Sequence, residues 1–360
     1  MPDIQEWIDR INKNYGGKDG GELAGHGSKF PYLGIRRFST GILSLDIALG
    51  GGWPFGRMVL NVGVESTGKT LDSIKACVSV ENYDHHTKLH RSRCEKELFT
   101  PGRALFIDAE GDFDPDWAES HGFNLDWHVI VRPEYGEQVI DIVADAISSN
   151  RFSLIVVDSI EAICPATEVE GSAEDWNMGL KARMVNKGIN RWRSLLNGRI
   201  IRNELGPALL CTNQFRIDIK ALPHTDNRTI PGGKNQIFAS SIIIYKRPPK
   251  YEDSERTERA FVELGGSTRK NKTYIPKQEF NYKMHLTGGD GEKTGDINNV
   301  EQMEMFGKKH DLIVKKGSKW VFGDHEFGTL KALKATLREE PEMYEMMWRS
   351  IVKAATGSEV

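Results

Sequence analysis

Gly63-Val64-Glu65-Ser66-Thr67-Gly68-Lys69-Thr70 has the residue types and spacing of a loop that cradles the phosphates of a nucleoside triphosphate. The glycines let backbone N–H groups turn toward phosphate oxygens, and a helix starting at the loop adds its partial positive charge. Lys69 is spaced to reach the β- and γ-phosphates, and the Thr70 hydroxyl to hold Mg²⁺. Such a loop needs a strand before it and a helix after it. Met58-Val59-Leu60-Asn61-Val62 is an apolar run of strand length, and Leu71 to Val78 reads as helix. The expected ligands are ATP and Mg²⁺.

Three further apolar runs end in polar groups. Leu154-Ile155-Val156-Val157-Asp158 closes on a carboxylate, and in phosphate-loop proteins such an aspartate supports Mg²⁺ directly or through water. Ala104-Leu105-Phe106-Ile107-Asp108-Ala109-Glu110 offers two acids at a strand end, where a carboxylate can orient and deprotonate the attacking water. Glu110 is the expected base and Asp108 its competitor, whose other role is to shape the turn. Leu209-Leu210-Cys211-Thr212-Asn213-Gln214 ends in an amide that can bond a γ-phosphate and lose that bond on hydrolysis, the behaviour of a sensor.

Two long irregular segments follow, the first directly on the Gln214 strand end, and such segments in compact domains are usually functional or disordered. Phe215 to Gly233 carries Arg216, Lys220, His224 and Arg228 and closes on Gly232-Gly233. Glu168 to Trp176, with Gly171 between, precedes a helix bearing Lys181, Arg183, Lys187, Arg191 and Arg193. Those cations suit a phosphate backbone, and equally a solvated helix face.

The elements that position these groups follow from hydrophobic period. Strands are expected at 58–62, 103–108, 128–132, 153–158 and 207–213, alternating with helices at 69–82, 136–149 and 176–197. That alternation makes the fold class α/β, with a mostly parallel central sheet flanked by helices. Further strand signals lie at Ile242-Ile243-Ile244-Tyr245 and Glu279 to His285. Ile4, Trp7, Ile8, Ile11 and Tyr15 fall at helical spacing, and a Gly-rich tether follows, so this stripe must dock on a neighbouring subunit or on its own core. Beyond about residue 295 the chain is Lys-rich, with helical patterns at 296–310 and 328–355 around Trp320-Val321-Phe322. The expected division is 1–37, 38–290 and 291–360: an N-terminal helix with its linker, an ATPase core, and a small α/β C-terminal domain.

Composition sets only broad bounds. With 360 residues, 39% of them hydrophobic and 28% charged, the chain is of ordinary globular type. A net charge of −3 neither demands nor excludes nucleic acid, because local charge decides. Dispersed Cys77, Cys94, Cys164 and Cys211, the absence of a basic-then-apolar leader and the lack of a membrane-length apolar run point to reduced thiols in the cytoplasm.

Taken together these stretches resemble the bacterial RecA recombinase family from about Phe38 almost to the C-terminus. Ser39-Thr40-Gly41-Ile42-Leu43-Ser44-Leu45-Asp46 is similar to that family's opening motif. Gly136-Glu137-Gln138, Val156-Val157-Asp158-Ser159, Met178-Gly179-Leu180-Lys181-Ala182-Arg183-Met184 and Lys270-Asn271-Lys272 are also similar. The resemblance implies a RecA-like core and an ATP-dependent recombinase that polymerises on single-stranded DNA, pairs it with homologous double-stranded DNA and exchanges strands. Glu110 then matches the catalytic glutamate and Gln214 the γ-phosphate sensor. Residues 168–176, with Glu168, Gly171 and Trp176, and residues 215–233, with Phe215, Arg216, Lys220, Arg228, Gly232 and Gly233, match the two DNA-binding loops. Met178 and Arg183 follow the first of these. Lys270 and Lys272 match lysines that reach the ATP of the adjoining subunit, Asp114 and Trp117 match the adenine contacts, and Phe238 matches an interface aromatic.

Four features depart from that pattern. Residues 82–102 are longer and carry His85, His86, His90 and Cys94, read mainly as a solvated surface insertion, with a zinc site as the alternative. Asp218 stands where a basic residue is more usual, and Ile237 replaces a cation before Phe238. The last residues, Ala354 to Val360, carry no acidic tail, which implies duplex capture less dependent on high Mg²⁺. The Lys308, Lys309, Lys315, Lys316 and Lys319 cluster suits a gateway for duplex DNA, and equally plain solubility. Two other functions fit the same core: a ring-forming helicase-type motor, and a filament that acts as scaffold for a self-cleaving repressor.

Overall fold

The computed structural model describes residues 4–16, 23–26, 35–171, 179–202, 204–217, 228–251, 261–286 and 293–358. Trp176, Met178, Asp218, Lys220 and His224 lie outside these residues. The N-terminal helix α1 spans Ile4–Tyr15, and β1 (Arg37–Phe38), α2 (Leu43–Leu49) and β2 (Trp53–Pro54) lead into the core. There β3 (Met58–Gly63), α3 (Lys69–Val80), β4 (Ala104–Asp108), α4 (Pro115–Ser120), β5 (Val129–Val131), α5 (Gly136–Ser149), β6 (Leu154–Asp158), α6 (Ala166–Glu170), α7 (Leu180–Ile201) and β7 (Ala208–Gln214) alternate. Then come the short pair β8 (Arg216–Ile217) and β9 (Arg228–Thr229), α8 (Asn235–Ala239), β10 (Ile242–Lys246), β11 (Lys250–Tyr251), β12 (Phe261–Asn271) and β13 (Glu279–His285).

The main sheet runs β11-β12-β10-β3-β7-β6-β4-β5, with β13 on the other edge of β12. From β10 to β5 every pairing is parallel, whereas β11, β12 and β13 pair antiparallel. Parallel strands with helices on both faces need apolar side chains in both directions. The runs supply them: Val59 and Val156 face the layer of α2 and α3, while Leu60, Ile155 and Val157 face the layer of α5 and α7. The expected elements are present within a few residues at each end. The eleven-residue β12 was not foreseen; Glu263, Gly265, Gly266, Ser267, Arg269 and Lys270 break any apolar pattern, and its two neighbours hold it as a strand.

The C-terminal portion packs α9 (Asn299–Lys309), the sheet of β14 (Ile313–Lys316), β15 (Lys319–Phe322) and β16 (His325–Phe327), then α10 (Leu330–Glu339) and α11 (Pro341–Thr356). The single helical pattern expected over 328–355 is in fact two helices. Pro341 lacks an N–H to continue α10 and instead opens α11. This portion is hydrogen-bonded into the core. Asn299 Oδ1 and Gln302 Oε1 accept from the N–H groups of Leu43 and Ser44 at 3.2 and 2.8 Å, satisfying the start of α2. Trp348 Nε1 donates to wholly buried Asp46 at 3.0 Å, where burial, opposed by hydrogen bonds, lifts the carboxyl to a pKa of about 6. Among the described residues no helix is long and apolar enough to cross a membrane.

The 82–102 insertion corrects part of an expectation. Its first half is folded against the core, where Tyr83, Asp84, His85, Lys88 and His90 are buried, whereas Arg91, Ser92, Arg93, Glu95, Glu97, Leu98 and Thr100 are exposed, as a solvated surface segment should be. His85 bonds Ser153 Oγ and the Asn150 carbonyl at 2.8 and 2.7 Å, and Asp84 accepts from the N–H groups of His86, Thr87 and Thr100. His90 contacts Arg349, and Arg91 pairs with Glu345 at 2.8 Å, so the insertion braces α11. His85 and His90 are engaged by different partners, and the described residues hold no group of three or more His, Cys, Asp or Glu that could bind a metal ion.

His90 gives this brace a pH dependence. Burial and then Arg349 hold its imidazole at a pKa of about 4, against the opposing pull of Glu345. A histidine depressed in the folded state leaves the unfolded chain binding more protons between pH 6.5 and 4, so stability falls as pH drops through that window. The stability difference between wild type and His90→Asn, from melting at stepped pH, should shrink as pH falls from about 6.5 to about 4. A constant difference would count against the brace.

Candidate functional site

The four chemistry-bearing runs end side by side. In the order β4, β6, β7, β3, the register sets Asp108 beside Asp158 and Gly63 beside Gln214. Their carboxyl ends open on a cleft of about 350 Å³ lined by residues 65–71, Glu110, Trp117, Asp158, Gln214 and Tyr251, with Val262, Leu264, Met284 and Leu286 closing one side.

At the phosphate loop, Gly68 takes φ +80° and Ser66 φ +58°, and α3 begins at Lys69. Lys69 Nζ donates to the Val64 and Gly63 carbonyls at 2.7 and 3.3 Å. Its amine is held below the usual lysine value chiefly by burial, against which Asp158 and Glu110 pull upward. A half-desolvated ammonium resting on neutral carbonyls is a group that an anionic ligand can draw out. Val64 is exposed and stands off the cleft wall.

Asp158 is buried and its carboxyl is pushed up by desolvation, while the hydroxyls of Thr212 and Thr70 stabilise the charged form. Thr70 Oγ1 donates to Asp158 Oδ2 at 2.8 Å, and Thr212 Oγ1 donates to Oδ1. One carboxylate with an adjoining hydroxyl, open to a phosphate site, is a hard-oxygen set that fits Mg²⁺ completed by water and substrate oxygens.

The structure separates the two acids that the sequence left in competition. Asp108 is buried and accepts from the N–H groups of Gly111, Asp112 and Phe113 and from Arg132 Nε at 2.9 Å, so its lone pairs are used in the turn. Glu110 reaches the cleft, and Ser159 Oγ donates to its Oε1. Gln214 lines the same cleft, and its N–H is held by Asn213 Oδ1 at 2.8 Å.

Asn213 was not foreseen as more than a strand-end amide, yet it joins this wall to the end of the second loop. Its Nδ2 donates to Gln236 Oε1 at 2.7 Å and to the Pro231 carbonyl at 3.1 Å. Gly232 and Gly233 follow with φ near +90°, and a Cβ at Gly233 would lie 2.7 Å from Asn186 of α7. The two ends of the loop pair as β8 and β9, with Phe215 packed edge-on against Tyr245 and Arg228 over both rings. Arg216 pairs with Glu161, whose carbonyl also receives Lys181. Arg183, Lys187, Arg191 and Arg193 are exposed along α7, Arg191 against Asp141. The short helix α6 runs into the first segment as far as Glu170, where irregular chain was expected from Glu168; Glu168 accepts from Cys164, and Gly171 is exposed.

The remaining expected residues fall in two places. Asp114 caps α4, accepting from the Trp117 N–H at 3.0 Å, and it stands off the cleft wall that Trp117 lines. Phe238 is 67% exposed. Lys270 Nζ donates to the Ile237 and Phe238 carbonyls at 2.6 and 3.2 Å, capping α8 of its own chain, and Lys272 is exposed beside it. On α1, Ile8 is buried while Ile4, Trp7 and Tyr15 are exposed.

The RecA N-terminal domain family matches residues 3–289. The chain belongs to the RecA family. It is 30% identical over 311 residues to Protein RecA of Leptospira meyeri, covering 85% of this chain and 71% of that one. Protein RecA of Paracoccus denitrificans is 30% identical over 329 residues, 90% and 82% of the two chains. That of Colwellia psychrerythraea is 31% identical over 317 residues, 86% and 81%. The match spans α1 to β13, and the C-terminal helices and small sheet lie beyond it.

The two acids should behave differently on mutation. Asp108→Ala leaves three N–H groups and Arg132 without their acceptor and should destabilise the fold by about 2–3 kcal/mol. Glu110→Gln should stay within about 0.5 kcal/mol of wild type. Equal losses in urea unfolding would contradict the separation.

Proposed function

We propose that the chain is an ATP-dependent DNA recombinase that forms filaments on single-stranded DNA, pairs it with homologous duplex and exchanges strands in the cytoplasm. The observation that carries this is the joining of a phosphate cleft to a basic loop through one strand end: Gln214 lines the cleft, and the loop from Phe215 starts at the next residue. Family membership supports the same reading.

In this reading residues 63–70 hold the triphosphate, and Lys69 leaves the loop carbonyls for phosphate oxygens. Thr70 and Asp158 hold Mg²⁺, which supplies charge neutralisation at the phosphates when bound. Glu110, held by Ser159, takes the proton of the attacking water. Trp117 stacks on the base, and Asp114 orders the turn that presents it. Gln214 bonds the γ-phosphate, and through Asn213 its position reaches Gln236, Pro231 and Gly233 at the loop's far end. DNA lies between the loops of residues 168–176 and 215–233, contacted by Arg183, Arg216 and Arg228 along its phosphates, so that base pairing and not the protein reads sequence.

Filament assembly follows from groups an isolated protomer leaves exposed. Residues 1–37 carry the oligomerisation helix with Ile4, Trp7 and Tyr15, and Phe238 enters the neighbouring subunit. Lys270 and Lys272 reach the neighbour's ATP, Lys270 exchanging the carbonyls of α8 for phosphate. Residues 291–360 form the duplex gateway: Lys308 and Lys315 flank Trp320 at 4.8 and 6.0 Å, although Lys308 is also bonded to Glu304 and Lys319 to Glu326. The same filament can serve as scaffold for a self-cleaving repressor.

Lys69→Ala should abolish ATP binding or turnover. Glu110→Gln should bind ATP normally and lower DNA-stimulated hydrolysis by at least about 100-fold; hydrolysis at the normal rate would remove Glu110 from the water-activating role. The reading as a whole is tested by strand exchange with ATP and homologous or heterologous duplex. Product with the homologous duplex alone supports it, whereas closed rings that unwind either duplex favour a motor.

A further inference from the structure

Directly beneath the phosphate loop, four polar side chains meet inside the apolar core. Asp72, in the first turn of α3, is wholly buried. Its Oδ2 accepts from Lys246 Nζ at 2.7 Å and from Asn61 Nδ2 at 2.9 Å, and its Oδ1 accepts from the Tyr282 hydroxyl at 2.6 Å. Lys246 Nζ also donates to the Tyr282 oxygen at 2.9 Å, and it lies 4.9 and 5.4 Å from the ring centres of Tyr282 and Phe280. Lys246 is only 2% exposed. Burial pulls its amine below the usual lysine value, against Asp72, and pushes the Tyr282 hydroxyl well up.

The four residues come from one helix and three strands: α3, β3, β10 and β13. An ion pair this deep is weak support for stability, because apolar side chains of similar volume are often as good or better. What it provides is direction. Hydrogen bonds fix both the depth and the rotation of a helix turn against a sheet, whereas an apolar contact at the same place tolerates sliding.

The loop rests on this network at both ends. A Cβ on Gly63 would stand 2.8 Å from Lys246 Cβ, and one on Gly68 would stand 3.4 Å from the Tyr282 hydroxyl and 2.9 Å from Leu264 Cδ1. The Asp72 N–H in turn donates to the Gly68 carbonyl at 3.0 Å. Lys246 also adds to the repulsion felt by Lys69, behind the larger effect of burial.

We propose that Lys246, Tyr282 and Asn61 are positioning residues, which through Asp72 lock the first turn of α3 and so set where the loop's N–H groups and Lys69 stand. The functional consequence rests on the reading of that loop as the triphosphate site. None of the four lines the cleft.

The test compares wild type with Asp72→Asn/Lys246→Met, which removes both charges at similar volume, and with Tyr282→Phe. Hydrogen exchange of the Asp72 and Ser73 amides is followed in nucleotide-free protein, beside thermal melting and ATP turnover. Exchange at these amides should rise about tenfold in the double variant and about threefold in Tyr282→Phe, with melting within a few degrees of wild type. The kcat of the double variant should fall about 10- to 100-fold, with KM for ATP changing less than about fivefold. Unchanged first-turn exchange, or a kcat loss no larger than the loss of folded protein, overturns the proposal. If the double variant does not fold, Tyr282→Phe decides by the same two readouts. Wild-type protein that turns over no ATP overturns the proposed function, while the exchange data still decide the positioning claim.

Discussion

Parallel hydrogen bonding of β4, β6, β7 and β3 is the constraint on which the rest of the molecule depends. The register of these strands brings Asp158, Gln214 and the start of the phosphate loop to one edge of the sheet, with Glu110 two residues past the end of β4. Each strand is buried on both faces, and a slip of one residue would turn its apolar set over and move its terminal polar group away. The chemistry is therefore held by the same burial that holds the fold.

Around that edge the side chains divide their work by environment. Asp108 and Glu110 are two residues apart, yet one is saturated by N–H groups of the following turn and the other reaches the cleft. Asp158 is shared between two threonine hydroxyls. Lys69, Lys270 and Arg216 each rest on a partner within the chain: loop carbonyls, the end of α8, and Glu161. Cations parked on weak or exposed partners can be re-used by phosphate with little reorganisation. In the proposed function, that is how nucleotide, DNA and a neighbouring subunit would be linked in one protein.

The C-terminal portion and the 82–102 insertion act on one another. Asn299, Gln302 and Trp348 bind the start of α2 and Asp46, while Arg91 and His90 meet Glu345 and Arg349 of α11. The insertion is polar in composition, which is why all of it reads as solvated surface, but the polar groups of its buried first half are satisfied internally and by the core. A histidine that accepts hydrogen bonds in the interior has the same letter as one in water.

The sequence by itself determined the strand–loop–helix of the phosphate site, the alternating core and the polar strand ends, because hydrophobic period and glycine placement are local. It also carried enough ordered motifs to indicate the family. Only the tertiary structure gave Asp108 and Glu110 different surroundings, joined Asn213 to Gln236, broke 328–355 at Pro341 and set Lys246 against Asp72. The partners in the two hydrogen-bonded pairs lie 23 and 174 residues apart, and no period records which buried polar groups will meet. Strand β12 shows the same limit from the other side. Its residues have little strand character of their own, and the hydrogen bonds of β10 and β13 on either side make it one.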